Sequence, residues 1–291
     1  MGKIFQICTQ DSLYNGDFGG KAGWHAAGMG YVIVTDLSEI IVIDGGYDKD
    51  AASLVQLLCE ITESPTAHVS AWILTHPHSD HTGAIEHIAR CDALRGKISL
   101  DTLIYHFPPD FVDSRGATCN LSPIKSMEET RYLLGASYHK PRLDESLLID
   151  GVKIRFLYTP DDTTLLSYAG NSNLCSLIFS VESASKRAIF TGDAYERSLQ
   201  MTVWRYVSQN RNELKGDILQ MPHHGLCDTG SLDFYRAVDA SVLLIPTCVA
   251  GEGAMRSDMY AASRLREYNI QAKNNAEKIY YSFEGTAIID F

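Results

Sequence analysis

The strongest constraint in this sequence is a cluster of histidines that directly follows an apolar segment. Residues 71–75 read Ala-Trp-Ile-Leu-Thr, which is typical of a buried strand, and His76, His78, Asp80 and His81 come next. A strand that ends in a polar loop and leads into a helix predicts an α/β fold, because open α/β sheets place their sites at the carboxyl ends of strands. Imidazole and carboxylate groups are also ordinary zinc ligands. The cluster therefore predicts a metal site at a sheet edge.

The spacing within this cluster suggests that it serves two ions. His76 and His78 lie two apart on an extended loop and can point to one side. Asp80 and His81 follow at the turn into a helix, where they can face a second ion. A lone histidine is more often a satisfied surface or core residue, whereas so many ligand types in six residues are hard to attribute to chance.

Two later motifs supply the same ligand types at the ends of apolar strands. Thr191-Gly192-Asp193 follows one strand, and Pro222-His223-His224-Gly225 follows another. Taken alone, each motif could be a simple polar turn. Taken together, three strand ends that carry ligand types predict that they converge on one rim.

The remaining pattern predicts one domain over residues 1–291. Residues 30–90 read as β-β-α-β-loop-α, and the second half again runs from strands to helices, with one helix predicted from Ser257 to Glu267. Residues 107–146 have a looser pattern, rich in turn residues, and are predicted to form a lid or insertion.

Composition limits the partners and the compartment. A net charge of −11 disfavours non-specific adhesion to nucleic acid or anionic lipid. The charge does not by itself select a substrate, which we expect to be a small molecule or a phosphoester. Nucleic acid stays possible as a substrate, although no basic patch is evident. The apolar runs are only strand length, too short to cross a membrane. Seven scattered cysteines without a CxxC pair, and no secretory leader, predict a cytoplasmic protein with reduced thiols. The sequence leaves the oligomeric state open.

The motifs resemble the metallo-β-lactamase superfamily in type and in order. They are Ile43-Asp44-Gly45-Gly46, the HxHxDH stretch at residues 76–81, Thr191-Gly192-Asp193 and His223-His224-Gly225. Residues 173–179, Asn-Leu-Cys-Ser-Leu-Ile-Phe, together with the motif at 222–225, are similar to the hydrolase domain of competence DNA-uptake channel proteins. The resemblance implies an α/β fold, the αββα four-layer sandwich, with metals at one edge of its two sheets.

The resemblance also implies a role for each motif residue. His76 and His78 would bind the first metal, Asp80 and His81 the second, and Asp193 would bridge both. One of His223 and His224 would join the second metal. We favour His223 as the ligand because it is nearer the strand end, and we group His224 with Asp80 as catalytic. Asp44 would orient the histidine loop, as ligating histidines usually require.

One departure from the family pattern concerns the first metal. The family usually supplies another histidine for it, often in a Thr-Pro-Gly-His-Thr type turn, but residues 158–163 here read Tyr-Thr-Pro-Asp-Asp-Thr. Asp161 or Asp162 could replace it as an oxygen ligand, Asn173 could line the site, or the first metal could be weakly held. His106 and His139 lie in this interval, outside any matching motif.

The expected chemistry is hydrolysis by water activated between two divalent metal ions. Zinc is favoured, and manganese or iron also suit these ligands. Asp80 would orient the water. The resemblance to the competence-type hydrolase domains makes a phosphodiester or related phosphate ester the first choice of substrate. The alternatives are a lactone, lactam or thioester hydrolase, or a binding or redox module with a degenerate site.

Overall fold

The protein is described here by a computed structural model, covering residues 2–17, 27–107, 123–160, 172–226, 228–257 and 261–291. Within these residues the first of two mixed sheets has the strand order β14-β1-β2-β3-β4-β5-β6. Its strands are β1 (Lys3–Gln6), β2 (Gly30–Val34), β3 (Ile40–Asp44), β4 (Ala67–Ile73), β5 (Ile98–Ile104), β6 (Ser137–His139) and β14 (Ala287–Asp290).

The second sheet has the order β13-β12-β11-β10-β9-β8-β7. Its strands are β7 (Ser146–Ile149), β8 (Val152–Tyr158), β9 (Ile178–Glu182), β10 (Arg187–Phe190), β11 (Ile218–Gln220), β12 (Val242–Ile245) and β13 (Lys278–Tyr281). In each sheet one half is antiparallel and the other parallel: β3 to β6 run parallel in the first, and β10 to β13 in the second.

The described helices pack mainly on the outer faces of the two sheets. They are α1 (Ala51–Ile61), α2 (Ser79–Arg90), α3 (Asp92–Arg95), α4 (Pro123–Leu134), α5 (Glu196–Val207), α6 (Leu232–Val238), α7 (Val249–Arg256) and α8 (Arg264–Asn275). Apolar residues of α1 and α2 pack on the first sheet around Trp72, and those of α5 and α6 pack on the second around Leu219.

A third apolar cluster fills the space between the sheets. Ile41 and Ile43 of β3 face Phe156 and Phe179 of the second sheet across this interface. The alternate residues Ile40 and Val42 point to the helix side. Because β3 is buried on both faces, it is continuously apolar, as strands of covered sheets usually are. The predicted αββα four-layer sandwich is confirmed.

The helix predicted from Ser257 to Glu267 is wrong in its bounds. The structure has α7, which ends at Arg256, and α8, which begins at Arg264. The Ser263 side chain caps α8 by accepting a hydrogen bond from the Arg266 backbone amide, so the serine marks the start of the helix. Two glycines inside α7 weakened its helical pattern in the sequence.

The predicted lid or insertion at 107–146 is described only in part, since residues 108–122 lie outside the described residues. Within the described part, α4 packs against α2, where the Arg90 guanidinium donates to Ser126 and Glu129. Strand β6 pairs with β5 and extends the first sheet. These elements cover one end of the sheet that carries the histidine loop.

The described cysteines are all free thiols: Cys8, Cys59, Cys91, Cys175 and Cys248. Two of them, Cys175 and Cys248, are buried in the apolar core. Among the described helices, none has the length and apolar character needed to cross a membrane.

Candidate metal centre

The sequence motifs meet where the carboxyl ends of the parallel strands reach one edge of the sandwich. Asp44 ends β3, and the histidine loop follows β4. From the second sheet, Asp193 follows β10, and the two adjacent histidines follow β11. Each sheet therefore supplies side chains to the same rim, as predicted.

The histidine loop turns two imidazoles toward each other. His76 Nε2 lies 2.9 Å from His78 Nδ1. The other nitrogen of each ring is held from outside the pair: His76 Nδ1 lies 3.1 Å from Thr75 Oγ1, and His78 Nε2 lies 2.7 Å from Ser172 Oγ. His76 is fully buried and His78 half-buried. The inner nitrogens are therefore fixed in place by contacts on the outer ones.

Helix α2 begins immediately after this loop, with His78 as its extended N-cap residue. Asp80 and His81 consequently fall in the first helical turn, and both are buried. A carboxylate at this position is stabilised by the free amides and the dipole of the helix N-terminus. The helix start thus presents Asp80 and His81 to the rim.

Asp44 lies behind the loop and contacts it at three points, as predicted. Its carboxylate accepts hydrogen bonds from the Thr75 amide (2.8 Å) and the Thr75 hydroxyl (2.9 Å), and lies 2.8 Å from His81 Nδ1. Asp44 is fully buried, and its φ of +52° is a conformation that aspartate adopts more readily than most residues. This contact leaves His81 Nε2 facing the rim.

Asp193 is brought in by a tight turn that requires glycine. Gly192 has φ of +51°, and a Cβ there would lie 2.6 Å from the Thr75 side chain. The turn can therefore press directly against the end of β4. The Asp193 amide donates to Ser176 Oγ at 3.2 Å, and the carboxylate is almost completely buried.

The adjacent histidines take an unusual backbone conformation. His223, His224 and Gly225 have φ of +48°, +58° and +67°, so three successive residues are left-handed. His224 Nδ1 donates to the Pro246 carbonyl at 2.7 Å, which points Nε2 into the rim. His223 Nδ1 lies 2.8 Å from Asp228 Oδ1, and its side chain is 16% exposed.

These side chains form two groups that share one carboxylate. The first comprises Asp80, His81, Asp193 and His224, and the second His76, His78 and Asp193, with the potential ligand atoms of each group within 4.8 Å of one another. Our preference for His223 over His224 as the ligand beside Asp80 and His81 differs from this geometry. The left-handed turn places His224, the residue farther from the strand, deeper in the rim.

The distances within the four-residue group fit a bound cation better than hydrogen bonds. Nε2 of His224 lies 3.2 Å from Asp80 Oδ2, and Nε2 of His81 lies 3.3 Å from Asp193 Oδ1 and 3.7 Å from Asp80 Oδ2. In tetrahedral coordination with bonds of about 2.1 Å, neighbouring ligand atoms are about 3.4 Å apart. Among the described residues, His81 Nε2, His224 Nε2 and Asp193 Oδ1 are buried without a hydrogen-bond partner. A divalent metal ion would satisfy all three atoms.

A family model for the metallo-beta-lactamase superfamily matches residues 27–246, well over half of the chain. The chain belongs to the metallo-beta-lactamase superfamily. The match makes this protein a metallo-beta-lactamase-fold hydrolase, and its candidate metal centre at the rim fits a superfamily that generally binds divalent metals.

One curated relative is the atrochrysone carboxyl ACP thioesterase of Passalora fulva, which is 29% identical over 163 residues. The aligned stretch is 56% of this metallo-beta-lactamase-fold chain but only 36% of the length of that relative.

Two similar structures match over the whole chain. The metallo-beta-lactamase fold protein YhfI from Bacillus subtilis has a TM-score of 0.55 at 15% identity, with 99% of both chains covered. Zn²⁺-bound PqqB from Methylobacterium extorquens has a TM-score of 0.57 at 11% identity, with 100% of both chains covered. At such low identities these structures show a shared fold.

The histidine that this superfamily fold usually adds to the first metal has no counterpart in the candidate ligand groups. Neither group includes His106 or His139. His139 instead lies 3.2 Å from Glu145, and His106 is buried after β5. Asp161 and Asp162 lie outside the described residues. Asn173 does line the site, with Nδ2 3.3 Å from His223 Nε2.

The buried charges of the metallo-beta-lactamase-fold centre strongly shift one another's pKa. Burial opposes a charged imidazole, but Asp193, Asp44 and Asp80 outweigh it and raise the pKa of His81 well above its usual value. Burial likewise opposes charge on His224, yet Asp193 and Asp80 raise its pKa to about 10. Although burial favours the neutral acid, His81 and His224 hold the pKa of Asp193 well below its usual range. Protons on His81 and His224 therefore offset the buried carboxylates, whereas burial lowers the pKa of His76 and His78 and favours their neutral forms.

Sequence reasoning missed three residues that orient the ligands. Ser172, Asp228 and the Pro246 carbonyl each hold the outer nitrogen of a histidine. Asp228 follows the adjacent histidines by only a few residues, so its proximity was a usable signal. Ser172 and Pro246 reach the site from distant parts of the chain, and nothing local in the sequence marks them.

Proposed function

We propose that this protein is a dinuclear metal-dependent hydrolase. The observation that carries the proposal is that two groups of candidate ligands share Asp193, so that one carboxylate can bridge two ions. Asp80, His81 and His224 would hold one ion, and His76 and His78 the other. Imidazoles mixed with carboxylates favour zinc, with manganese or iron as further possibilities.

Two divalent ions held in this way would polarise the scissile bond and lower the pKa of an attacking water molecule. The chain's own residues would hold the ions and orient the ligand rings and the water. Asp80, in the first turn of α2 with its side chain 11% exposed, would accept a hydrogen bond from this water. Asp44 and the Pro246 carbonyl fix the ring orientations of His81 and His224. We therefore propose that His224 is a metal ligand and not the catalytic residue first expected.

A phosphodiester is the substrate that we propose first. Paired metals suit in-line displacement at phosphorus, because they stabilise both the attacking and the leaving oxygen. The similarity of residues 173–179 and 222–225 to the competence-type hydrolase domains points the same way. The ions would also offset the acidic character of the chain where a phosphate binds.

A thioester is the second candidate, and one observation favours it. The Passalora fulva relative, 29% identical over 163 residues, is named as a thioesterase. Paired ions would polarise a thioester carbonyl by the same Lewis-acid effect.

The test is a substrate panel on purified protein reconstituted separately with zinc, manganese and iron(II). The panel comprises bis(p-nitrophenyl) phosphate, an acyl-pantetheine thioester, an N-acyl lactone and nitrocefin. We expect metal-dependent turnover of the phosphodiester, lost on chelation and in a His78→Ala, Asp80→Ala double variant. His68→Ala is the matched control, because His68 is an exposed histidine of β4 that pairs with Asp101 away from the rim. Turnover of the thioester alone would favour the second candidate. Absence of bound metal, with the double variant unchanged, would exclude both.

A further inference from the structure

All five imidazoles at the rim share one arrangement. Each has one ring nitrogen held by a group outside the candidate metal positions. The pairs are His76 Nδ1 with Thr75 Oγ1, His78 Nε2 with Ser172 Oγ, His81 Nδ1 with Asp44 Oδ2, His223 Nδ1 with Asp228 Oδ1, and His224 Nδ1 with the Pro246 carbonyl. An outer partner of this kind is the usual companion of a metal-ligating histidine, because it fixes the tautomer and the ring orientation.

The opposite nitrogens of four of these rings lie around Asp193. Nε2 of His223 and of His224 both lie 3.5 Å from Asp193 Oδ2, and Nε2 of His76 lies 3.6 Å from it. Nε2 of the fourth ring, His81, lies 3.3 Å from Asp193 Oδ1. Each of these separations from Asp193 is close to the ligand spacing expected around a tetrahedral ion, about 3.4 Å. His223 is not in either group of ligand atoms that lie within 4.8 Å of one another, so binding the first metal requires its ring to move closer to His76 and His78. His223 thus has the same relation to the bridging carboxylate as His76 and His224.

We infer that the two adjacent histidines bind different metals: His224 binds the ion held by Asp80 and His81, and His223 binds the ion held by His76 and His78. His223 then replaces the histidine that the sequence lacks between the HxHxDH stretch and Asp193. The inference rests on the proposed dinuclear function and assigns the missing ligand of its first metal.

The backbone explains how two adjacent residues can serve two positions. Consecutive left-handed conformations place the two ring centroids 5.8 Å apart with planes inclined by 55°. His224 is directed inward to Asp80, whereas His223 is held toward the opening by Asp228. The other arrangement at this atom is a hydrogen bond with Asn173, whose Nδ2 lies 3.3 Å from His223 Nε2. In that case His223 would face the substrate and bind no metal.

Counting metals in single and double variants separates these arrangements. Asparagine is the replacement of choice at 223, because it tolerates a left-handed backbone and its side chain is too short to reach the position of Nε2. Zinc per chain is measured by mass spectrometry after reconstitution and desalting, and affinity by competition with a chelator. Circular dichroism melting confirms that each variant is folded. His223→Gly, which also accepts a left-handed backbone and offers no ligand atom, is the alternative if His223→Asn does not fold.

We expect two zinc ions in the wild type and one in His223→Asn, with affinity for the second equivalent at least tenfold weaker. If His223 belongs to the first position, adding His78→Asn to His223→Asn removes no further zinc, whereas adding His81→Asn removes the last one. Electron paramagnetic resonance of manganese-loaded protein gives a second readout. The wild type should show the signal of a spin-coupled pair, and His223→Asn should show that of an isolated ion.

If the His223→Asn variant bound two zinc ions with the same affinities as the wild type, the inference would be overturned and His223 would be placed at the substrate. The reverse pattern of double variants, with the last zinc lost on adding His78→Asn, would overturn it too, as would a wild type that binds fewer than two ions. None of these measurements uses a substrate. Protein that binds two ions as described but hydrolyses nothing on the panel would contradict the proposed function alone.

Discussion

At the scale of single residues, the centre depends on side chains that bind no metal themselves. Asp44 is fully buried and uses its carboxylate to fix both Thr75 and His81. Its backbone is left-handed, and yet aspartate rather than glycine occupies the position. A buried carboxylate is costly unless it is fully hydrogen-bonded, so its contacts indicate a positioning role.

We predict that Asp44→Asn lowers metal affinity by roughly 10- to 100-fold while the protein stays folded, because the amide keeps the shape but weakens the hold on His81. Competition with a chelator measures the change. Asp150→Asn is the matched control: Asp150 is also left-handed and also accepts from a threonine hydroxyl and a backbone amide, of Thr35 and Leu37. Equal affinity losses in the two variants would contradict the prediction.

We also predict that metal binding releases protons. The pKa of His224 is raised to about 10 and that of His81 is also raised, so both rings are protonated at neutral pH before metal binds. Metal must displace these protons, and its affinity should therefore rise with pH between 6 and 8. Calorimetry in two buffers of different ionisation enthalpy counts the protons released. A count near zero, or an affinity independent of pH, would show that the rings are already neutral.

At the scale of elements, the start of α2 determines where Asp80 and His81 lie. Gly83 in the first turns of this helix packs against the segment after β3: a Cβ there would lie 2.7 Å from the Asp48 amide and 3.0 Å from Tyr47. Backbone atoms cannot move aside cheaply. The close approach of helix and loop therefore fixes the depth of the ligands that α2 carries.

We predict that Gly83→Ala destabilises the protein by about 1–3 kcal/mol through overpacking and weakens zinc binding. Denaturant unfolding and chelator competition measure the two effects. Gly253→Ala is the control, because Gly253 lies within α7 and a Cβ there meets nothing within 4 Å. Alanine at 253 should leave zinc binding unchanged and add about 0.5–1 kcal/mol of stability. A neutral effect at 83 would mean that the helix and loop can separate without cost.

At the scale of the whole molecule, the centre is held by both sheets. Asp80 and His81 belong to the first sheet's side of the rim, and Asp193 and His224 to the second. The sheets are joined by an apolar interface that includes Ile43 and Phe156. A bound metal therefore links the two halves in addition to this interface.

We predict that zinc raises the melting temperature in one cooperative transition. Ligand at one hundred times its dissociation constant contributes about 2.7 kcal/mol, which corresponds to a shift of about 4–5 °C for a protein of this size. Calorimetry with zinc and with chelator measures the shift, and Asp193→Ala should abolish it. Separate melting of two halves, with only one responding to zinc, would contradict this coupling.

The sequence by itself predicted an α/β fold with candidate ligands on one rim, and the family resemblance of its motifs implied the four-layer sandwich. Local patterns carry the evidence for these predictions. The strand before His76 is continuously apolar, the helix after the histidine loop is amphipathic, and the turn with Gly192 follows the apolar strand β10. Strand polarity places all of these ends at the same edge. The motif order then sufficed for the superfamily, which the family match bears out.

Only the tertiary structure decided which nitrogen faces which neighbour. The choice between His223 and His224 depends on three consecutive left-handed residues, which group His224 with Asp80 and His81 although His223 is nearer the strand end. Ser172 and the Pro246 carbonyl act across long sequence separations, so no spacing rule could find them. The bounds of α7 and α8 were set by a serine cap and by packing that outweighed the two glycines of α7. Short sequence motifs show which ligand types are present. The direction in which each ligand side chain points depends on backbone conformation and on contacts between distant segments.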